Sequence, residues 1–565
     1  MFHIVRCRKL AYVWLKPLGI NAGGRSTVRA SPYSTSHCAA QQSSEHEVKR
    51  NPGLSVVYTR KLPSTEHQYI KIYGPDTIKF LNGLCTSKLV PTFIKKNLTT
   101  ISVAPEAQDD DAQMKPSSTV NAERESFLKK HSLYDELNSM YGNTLGMHSC
   151  FLSSQGRLLT DCIFYTPFVT GDAFQSNKLS KVTGHKYSEV VLGLPFLGEP
   201  FKQDLIKVMN GHKILSKVKI KDLSDEYFDT WEVCIKDPMN ELRIDYDSLQ
   251  DSSEYYSACM ALVQGVFSAK GMDQLYSVYM DPQFEMLNDT YDIQPGMVIF
   301  KILVKREHVV KDLSRELLSI PDNNSFEQNA INHEHIHSLK LDSGIISPTP
   351  PTMINNKYLP LDFCYDLIPN SISFDKGCYI GQELTTRMYT TNKIKKRLVP
   401  FDIVFGGSGT GKKLLSEFVT AQRNANDFIA LDIFTDNPLV QERQAAYNPF
   451  ASDNNSPVKN SNAKKRIRPV GKIIYIGYDF LNNGATTLRA IGLLNMDYIA
   501  EQYGLSETLN KDSDGPVSDR FFYIKYPSKQ EKEEEKEEKN KSESGSVNKL
   551  PLSLKPPYWL SSFVN

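Results

Sequence analysis

No Cys-x-x-Cys pair occurs anywhere in this chain. Its nine cysteines stand singly, at Cys7, Cys38, Cys85, Cys150, Cys162, Cys234, Cys259, Cys364 and Cys378. That scatter indicates neither a zinc ribbon nor a disulfide scaffold. The chain also lacks an uninterrupted apolar run of about 20 residues, so no transmembrane segment is expected and the protein reads as soluble. It lacks charge of one sign: Lys+Arg 66 against Asp+Glu 65 leaves a formal +1. No global field recruits nucleic acid or an anionic membrane, and any such surface has to be local.

Residues 1–44 have no acidic side chain, the first being Glu45. They carry Arg6, Arg8, Lys9, Lys16, Arg25 and Arg29, followed by Ser31, Ser34 and Ser36. This is the composition of a mitochondrial transit peptide, with cleavage expected near Tyr33 or Ser34. At 565 residues the chain is too long for one ordinary core, so two or more lobes are expected. Hydrophobic residues at 40% supply those cores, and the polar excess points to insertions.

What is present reads as α+β followed by all-β. Leu54–Thr59 and the alternating Tyr69–Gly74 are expected strands. Gly74-Pro75-Asp76 turns the chain, with Asp76 placed to cap a helix over Thr77–Leu84. Cys150–Tyr165 reads as a hairpin around Gln155-Gly156. From about 200 to 310 the pattern gives helices at Leu205–Lys213 and Tyr255–Ala269, and strands at Trp231–Ile235 and Met297–Val304. After Arg397 short strands at Leu398–Phe405, Phe428–Phe434, Gly471–Tyr478 and Thr487–Leu494 suggest a C-terminal β-barrel over 398–565. Polar insertions are expected near 105–126, 321–337, 448–468 and 528–549, the last holding the Lys/Glu run Glu531–Lys541.

Three features invite a sharper reading. Gly406–Lys413 fits Gly-x4-Gly-Lys, but Lys413 stands where a phosphate loop needs Ser or Thr for Mg²⁺, so a glycine-rich hairpin or turn is expected. His333, His335 and His337 alternate, which on a strand would put three imidazoles on one face for Zn or Ni. Only Glu334 accompanies them, and a polar surface loop is the simpler reading. The apolar end Pro556-Pro557-Tyr558-Trp559-Leu560 either tucks against the barrel or docks a partner.

The chain is organised around Phe374-Asp375-Lys376-Gly377-Cys378-Tyr379-Ile380-Gly381-Gln382-Glu383, with Arg387 a turn further on. Glycines on both sides of Cys378 imply a tight backbone, and Lys376 and Arg387 would favour its thiolate, the form that attacks or binds metal. Glu383 and Arg387 are spaced to pair on a helix. Residue chemistry alone leaves two readings open: a poised thiol, or the small buried apolar residue that free cysteine commonly is.

Lys-Gly-Cys-Tyr-Ile-Gly-Gln-Glu resembles the signature of the YgfZ-like branch of the glycine-cleavage T-protein (aminomethyltransferase) superfamily. Gly74, Asp76, Phe80, Leu81 and Gly83 resemble that superfamily's opening, and Gly156, Arg157 and Asp161 its hairpin. The mitochondrial branch consists of iron–sulfur cluster assembly factors, also grouped with CAF-type transferases. The resemblance implies a T-protein-like cloverleaf of three α/β subdomains around a central opening over 53–397, followed by the barrel. It implies a matrix factor for [4Fe–4S] maturation working with A-type (ISA-type) carriers, with aconitase and radical-SAM enzymes as recipients. Cys378 would act transiently on iron, sulfur or thiols, supported by Lys376, Gly377, Tyr379, Gly381, Gln382, Glu383 and Arg387.

The same resemblance implies tetrahydrofolate contacts at Asp161 and Asp362, and hence two alternatives: a folate-dependent one-carbon transferase, or a noncatalytic folate-binding scaffold. Departures from the pattern weigh against transfer chemistry. Thr160-Asp161 replaces a pair of aspartates, Gln283 follows Asp281-Pro282 where arginine is usual, and Asp362-Phe363-Cys364 replaces Glu-x-Asn, shortening the acid by about 1.5 Å. An assembly factor is therefore expected rather than a turnover enzyme.

Overall fold

The computed structural model describes residues 54–89, 134–135, 140–141, 145–167, 188–223, 227–239, 241–244, 252–283, 287, 296–307, 310–320, 333–346, 357–374, 376–391, 393–406, 409–423, 431–436, 468–477, 487–503, 522–526 and 548–560. The expected transit peptide, the 105–126 insertion, the bulk of the 321–337, 448–468 and 528–549 insertions, and Asp375 lie outside them.

The chain runs β1 (Ser55–Lys61), β2 (His67–Gly74), α1 (Thr77–Asn82), β3 (Tyr134–Asp135), β4 (Met140–Tyr141), β5 (Met147–Leu152), β6 (Leu158–Tyr165), β7 (Ser188–Pro195), α2 (Glu199–Gly211), β8 (Lys219–Leu223) and β9 (Phe228–Lys236). It continues through α3 (Ser252–Val266), α4 (Ala269–Gln274), β10 (Leu275–Met280), β11 (Met297–Lys305), α5 (Leu313–Glu316), α6 (His333–Asp342), a 3₁₀ turn (Tyr365–Leu367) and α7 (Gln382–Thr390). The last part is β12 (Lys396–Val404), α8 (Gly409–Arg423), β13 (Leu431–Thr435), β14 (Gly471–Ile476), β15 (Thr487–Asn495), α9 (Met496–Gln502), β16 (Phe522–Tyr526) and β17 (Asn548–Leu554).

The expected α+β body with a C-terminal barrel is present. A four-stranded sheet has the order β1-β9-β11-β10, a five-stranded sheet β5-β6-β7-β2-β8, and the barrel closes as β12-β15-β14-β13-β16-β17. β17 returns to β12 through Phe401↔Leu554 and Ile403↔Leu552, so the barrel has no open edge. β9 lies between two neighbours and is buried along nearly its whole length, as a central strand must be. β5 and β6 form the expected hairpin, its turn closed by Ser153 N–H donating to the Arg157 carbonyl.

Three local expectations are corrected. Asp76 precedes α1, but its side chain does not cap the helix; its Oδ2 accepts the Lys217 N–H at 2.6 Å instead. The glycine-rich run does not make a hairpin: from Gly409 it is the start of α8, which sends Leu415, Phe418 and Val419 into the barrel core at i, i+3 and i+4. Gly411 is required there, because a Cβ would fall on the carbonyl oxygens of Phe405 and Gly406. The three histidines belong to a helix and not to a loop. His333 and His337 then stack one turn apart at 6.1 Å, and His333 Nε2 sits 3.2 Å from Arg60 and 3.7 Å from Glu232. Burial and the Arg60 charge hold its pKa below the ordinary imidazole range.

The apolar C-terminus tucks against the barrel. Trp559 donates its indole N–H to the Leu398 carbonyl at 2.9 Å, and Tyr558 N–H donates to the Ser343 carbonyl.

Candidate functional site

A core of Cys150, Leu152, Leu158, Leu361, Phe363, Ile372, Tyr379, Leu398, Ile491 and Leu493 joins the β5–β6 hairpin, the segment 357–380 and the barrel. The signature rests on this core. Gly381 opens α7 in the left-handed conformation at φ 76°, and Gln382 folds back to accept the Tyr379 N–H at 3.2 Å. Ile380 N–H donates to the Gly83 carbonyl, tying the signature to the loop after α1.

Two glycines meet at this junction. Gly156, in the hairpin turn at φ 77°, and Gly381 lie back to back. A Cβ on Gly381 would strike the Ser153 carbonyl oxygen and come 2.8 Å from Leu152 Cβ; one on Gly156 would come 2.8 Å from the Gly381 carbonyl oxygen. Gly377 differs, since a Cβ there meets nothing within 4 Å and its φ is not left-handed. Gly381→Ala is therefore expected to destabilise by at least about 2 kcal/mol, combining left-handed strain with a displaced carbonyl. Gly377→Ala is expected to stay within about 0.5 kcal/mol. Urea unfolding of both variants checks the contrast.

Cys378 is exposed, while Cys85, Cys150, Cys162, Cys234, Cys259 and Cys364 are buried. Burial pushes the Cys150, Cys162 and Cys234 thiols well up, and Cys364 up to about 11. Such thiols stay protonated and inert near neutral pH. Cys364, 13 residues before the signature thiol, lies in the interior beside Arg397.

Lys376 is engaged elsewhere than its sequence position suggests. Its ammonium donates to the carbonyls of Cys85 and Ser87, both at 2.7 Å, and lies 4.6 Å from the Tyr379 ring centroid. Burial lowers its pKa to about 8. These bonds make it a strut between the signature and the 85–87 loop. Glu383 and Arg387 face solvent at 4.0 Å, a pairing that contributes little.

Asp161, on β6, faces His148, whose Nε2 is 3.6 Å from Oδ2; His148 Nδ1 is 2.7 Å from Ser371 Oγ. Neither His148 nor Ser371 is marked by any motif, and they are far apart in the chain. Ser371 is closed off from solvent, so the serine–histidine–aspartate contact is an interior clamp and not an accessible nucleophile. Asp362 Oδ2 accepts the Leu359 N–H at 2.8 Å inside its own turn, and burial pushes its carboxyl up to about 6. Its turn engages Oδ2 alone, and the charges of Lys396, Arg157 and Arg397 lie near this carboxyl, whereas Asp161 faces His148. Among the described residues no three His, Cys, Asp or Glu side chains converge on a metal position.

Fold and site together define an α+β protein with a closed C-terminal barrel that, among the described residues, presents one solvent-facing thiol on a glycine-bounded turn. No family model matches the chain. It is 30% identical over 469 residues to the iron–sulfur cluster assembly factor IBA57, mitochondrial, of Saccharomyces cerevisiae, covering 81% of this chain and 83% of that protein. It is 31% identical over 421 residues to the IBA57 homolog of Kluyveromyces lactis, covering 72% and 80%. The chain belongs to the IBA57 family of mitochondrial iron–sulfur cluster assembly factors. Among solved structures it is similar to the glycine cleavage system aminomethyltransferase T from Bartonella henselae, with a TM-score of 0.36 and 9% identity over 90% of this chain and 86% of that one.

Proposed function

We propose that this protein works in the mitochondrial matrix, where it assists assembly or transfer of [4Fe–4S] clusters together with A-type carrier proteins. Recipients are [4Fe–4S] proteins such as aconitase and radical-SAM enzymes. The observation that carries this reading is the contrast among thiols: of the seven described cysteines only Cys378 is exposed. Membership of the IBA57 family supports the cluster as cargo.

The thiolate is the form that ligates iron, so Cys378 loses its proton to bulk water, which its exposure allows. One thiolate is too few for a cluster that takes four cysteine ligands. The cluster is therefore shared, with the carrier supplying the remaining ligands across an interface. Lys376, Gly381 and Gln382 hold the turn in place without touching the cargo. This is positioning and exchange, with no substrate turned over by the chain's own residues.

The test is reconstitution under anaerobic conditions with an A-type carrier, iron, a sulfide source and a reductant, read as aconitase activation. Wild type stimulates activation and Cys378→Ala loses most of that stimulation, with unchanged circular dichroism showing that the variant folds. Equal stimulation by both proteins would remove Cys378 from the transfer path.

A further inference from the structure

From Leu205 to Lys221 the sequence has no acidic residue and five lysines: Lys207, Lys213, Lys217, Lys219 and Lys221. The stretch covers the end of α2, a loop and the start of β8. In the loop, Ile214 and Leu215 are 86% and 92% exposed, and Val208 on the last turn of α2 is 44% exposed. Lys217, Lys219 and Lys221 are exposed and Lys213 is half-buried. Lys207 pairs with Asp204, and Lys221 lies over the Tyr227 ring; Lys213, Lys217 and Lys219 make no ion pair among the described residues.

The loop is tied down by backbone hydrogen bonds with its apolar side chains outward. Lys213 N–H donates to the Asn210 carbonyl and Val218 N–H to the Ser216 carbonyl. Lys217 N–H donates to Asp76, and the Lys217 carbonyl oxygen lies where a Cβ on Gly74 would be, with Gly74 at φ 142°. The Gly74-x-Asp76 motif near the start of the folded chain is thus the seat of this loop. Two adjacent large apolar side chains held in water at this tip gain free energy from an occupant that removes them from it.

We propose that residues 207–221 form a peripheral membrane-contact surface, in which Ile214 and Leu215 enter the interface of an anionic phospholipid bilayer and the lysines engage its headgroups. The chemistry favours a bilayer over a protein. The apolar element is a projecting tip, and the cations around it are all lysine, a residue depleted from protein interfaces, where aromatics and arginine dominate. Lysines close to an anionic leaflet each strengthen binding about fivefold, and an apolar insertion adds to that attraction. This surface is separate from Cys378 and does not depend on its role.

The test is amide hydrogen exchange on the full chain titrated with vesicles, reading the peptide that spans 207–221. Because the readout is local, binding by the basic first 44 residues does not mimic it. Vesicles of phosphatidylcholine with about a third phosphatidylglycerol are expected to slow exchange in this peptide roughly tenfold, while pure phosphatidylcholine leaves it unchanged. Lys213→Ala with Lys217→Ala is expected to raise the lipid concentration for half-protection roughly thirtyfold. Ile214→Ser with Leu215→Ser abolishes protection while exchange elsewhere stays the same. Absence of protection on anionic vesicles, or equal protection on neutral ones, overturns the proposal. Protection by an A-type carrier without lipid, and none with lipid, assigns the surface to a protein and overturns it equally.

Discussion

Asp366→Ala is expected to destabilise the protein by about 3–5 kcal/mol. Asp366 sits on the 3₁₀ turn ahead of the signature, and Arg397 lies near the start of the first barrel strand. Both side chains are only 3% exposed. The guanidinium donates to the two carboxylate oxygens at 2.8 Å each, a parallel fork that neither a lysine nor an amide reproduces. Nη1 also donates to the Leu361 carbonyl at 3.2 Å. Removing the carboxylate strands a buried cation at the junction between the site segment and the barrel. Asp366→Ala combined with Arg397→Met is expected to recover most of the loss, since no unpaired charge remains. Urea unfolding followed by far-ultraviolet circular dichroism checks both, and a single variant within about 1 kcal/mol of wild type would contradict the assignment.

Trp559→Ala is the second large effect, also about 3–5 kcal/mol. The indole is 1% exposed, its N–H bonds the Leu398 carbonyl, and its ring lies 5.9 Å from the Arg397 guanidinium carbon. Lys555 holds the same terminal segment to Asp342 at 2.8 Å and to Asp402 at 3.0 Å. The last described residues are therefore a latch across α6, the first barrel strand and the site segment. Trp559→Phe keeps most of the volume and loses the donor, and is expected to cost about 1–2 kcal/mol. The latch is confirmed if hydrogen exchange of residues 343–346 accelerates in Trp559→Ala. A fall in stability with those amides unaffected would restrict the role of Trp559 to filling the barrel end.

Local patterns were legible in the sequence, and long-range closures were not. The β5–β6 hairpin and four barrel strands declared themselves through alternation and turn residues. β16 and β17 did not, because they flank a long Lys/Glu-rich segment that dominates their surroundings. The glycines at 409 and 411 signalled a turn, since glycine costs a helix about 1 kcal/mol per residue. Burial of Leu415, Phe418 and Val419 overrides that local preference.

At the site, the sequence singled out Cys378 and the glycines but could not show which glycine is sterically required. That depends on Gly156 and Ser153, more than two hundred residues earlier. Lys376 stands two positions before the thiol in sequence, whereas its hydrogen bonds go to the Cys85–Ser87 loop. Asp362 lends one oxygen, Oδ2, to its own turn, a contact that residue spacing alone does not reveal.

The central claim is that Cys378 lends its thiolate to a shared cluster, and its alkylation rate tests this most directly. The protein is mixed anaerobically with an A-type carrier, with and without cluster, and treated with a small alkylating agent, and each cysteine is read by mass spectrometry. The account predicts that Cys378 reacts readily in the cluster-free mixture and is protected when the cluster is present, with the buried cysteines unreactive in both. Equal alkylation of Cys378 in the two mixtures would contradict it.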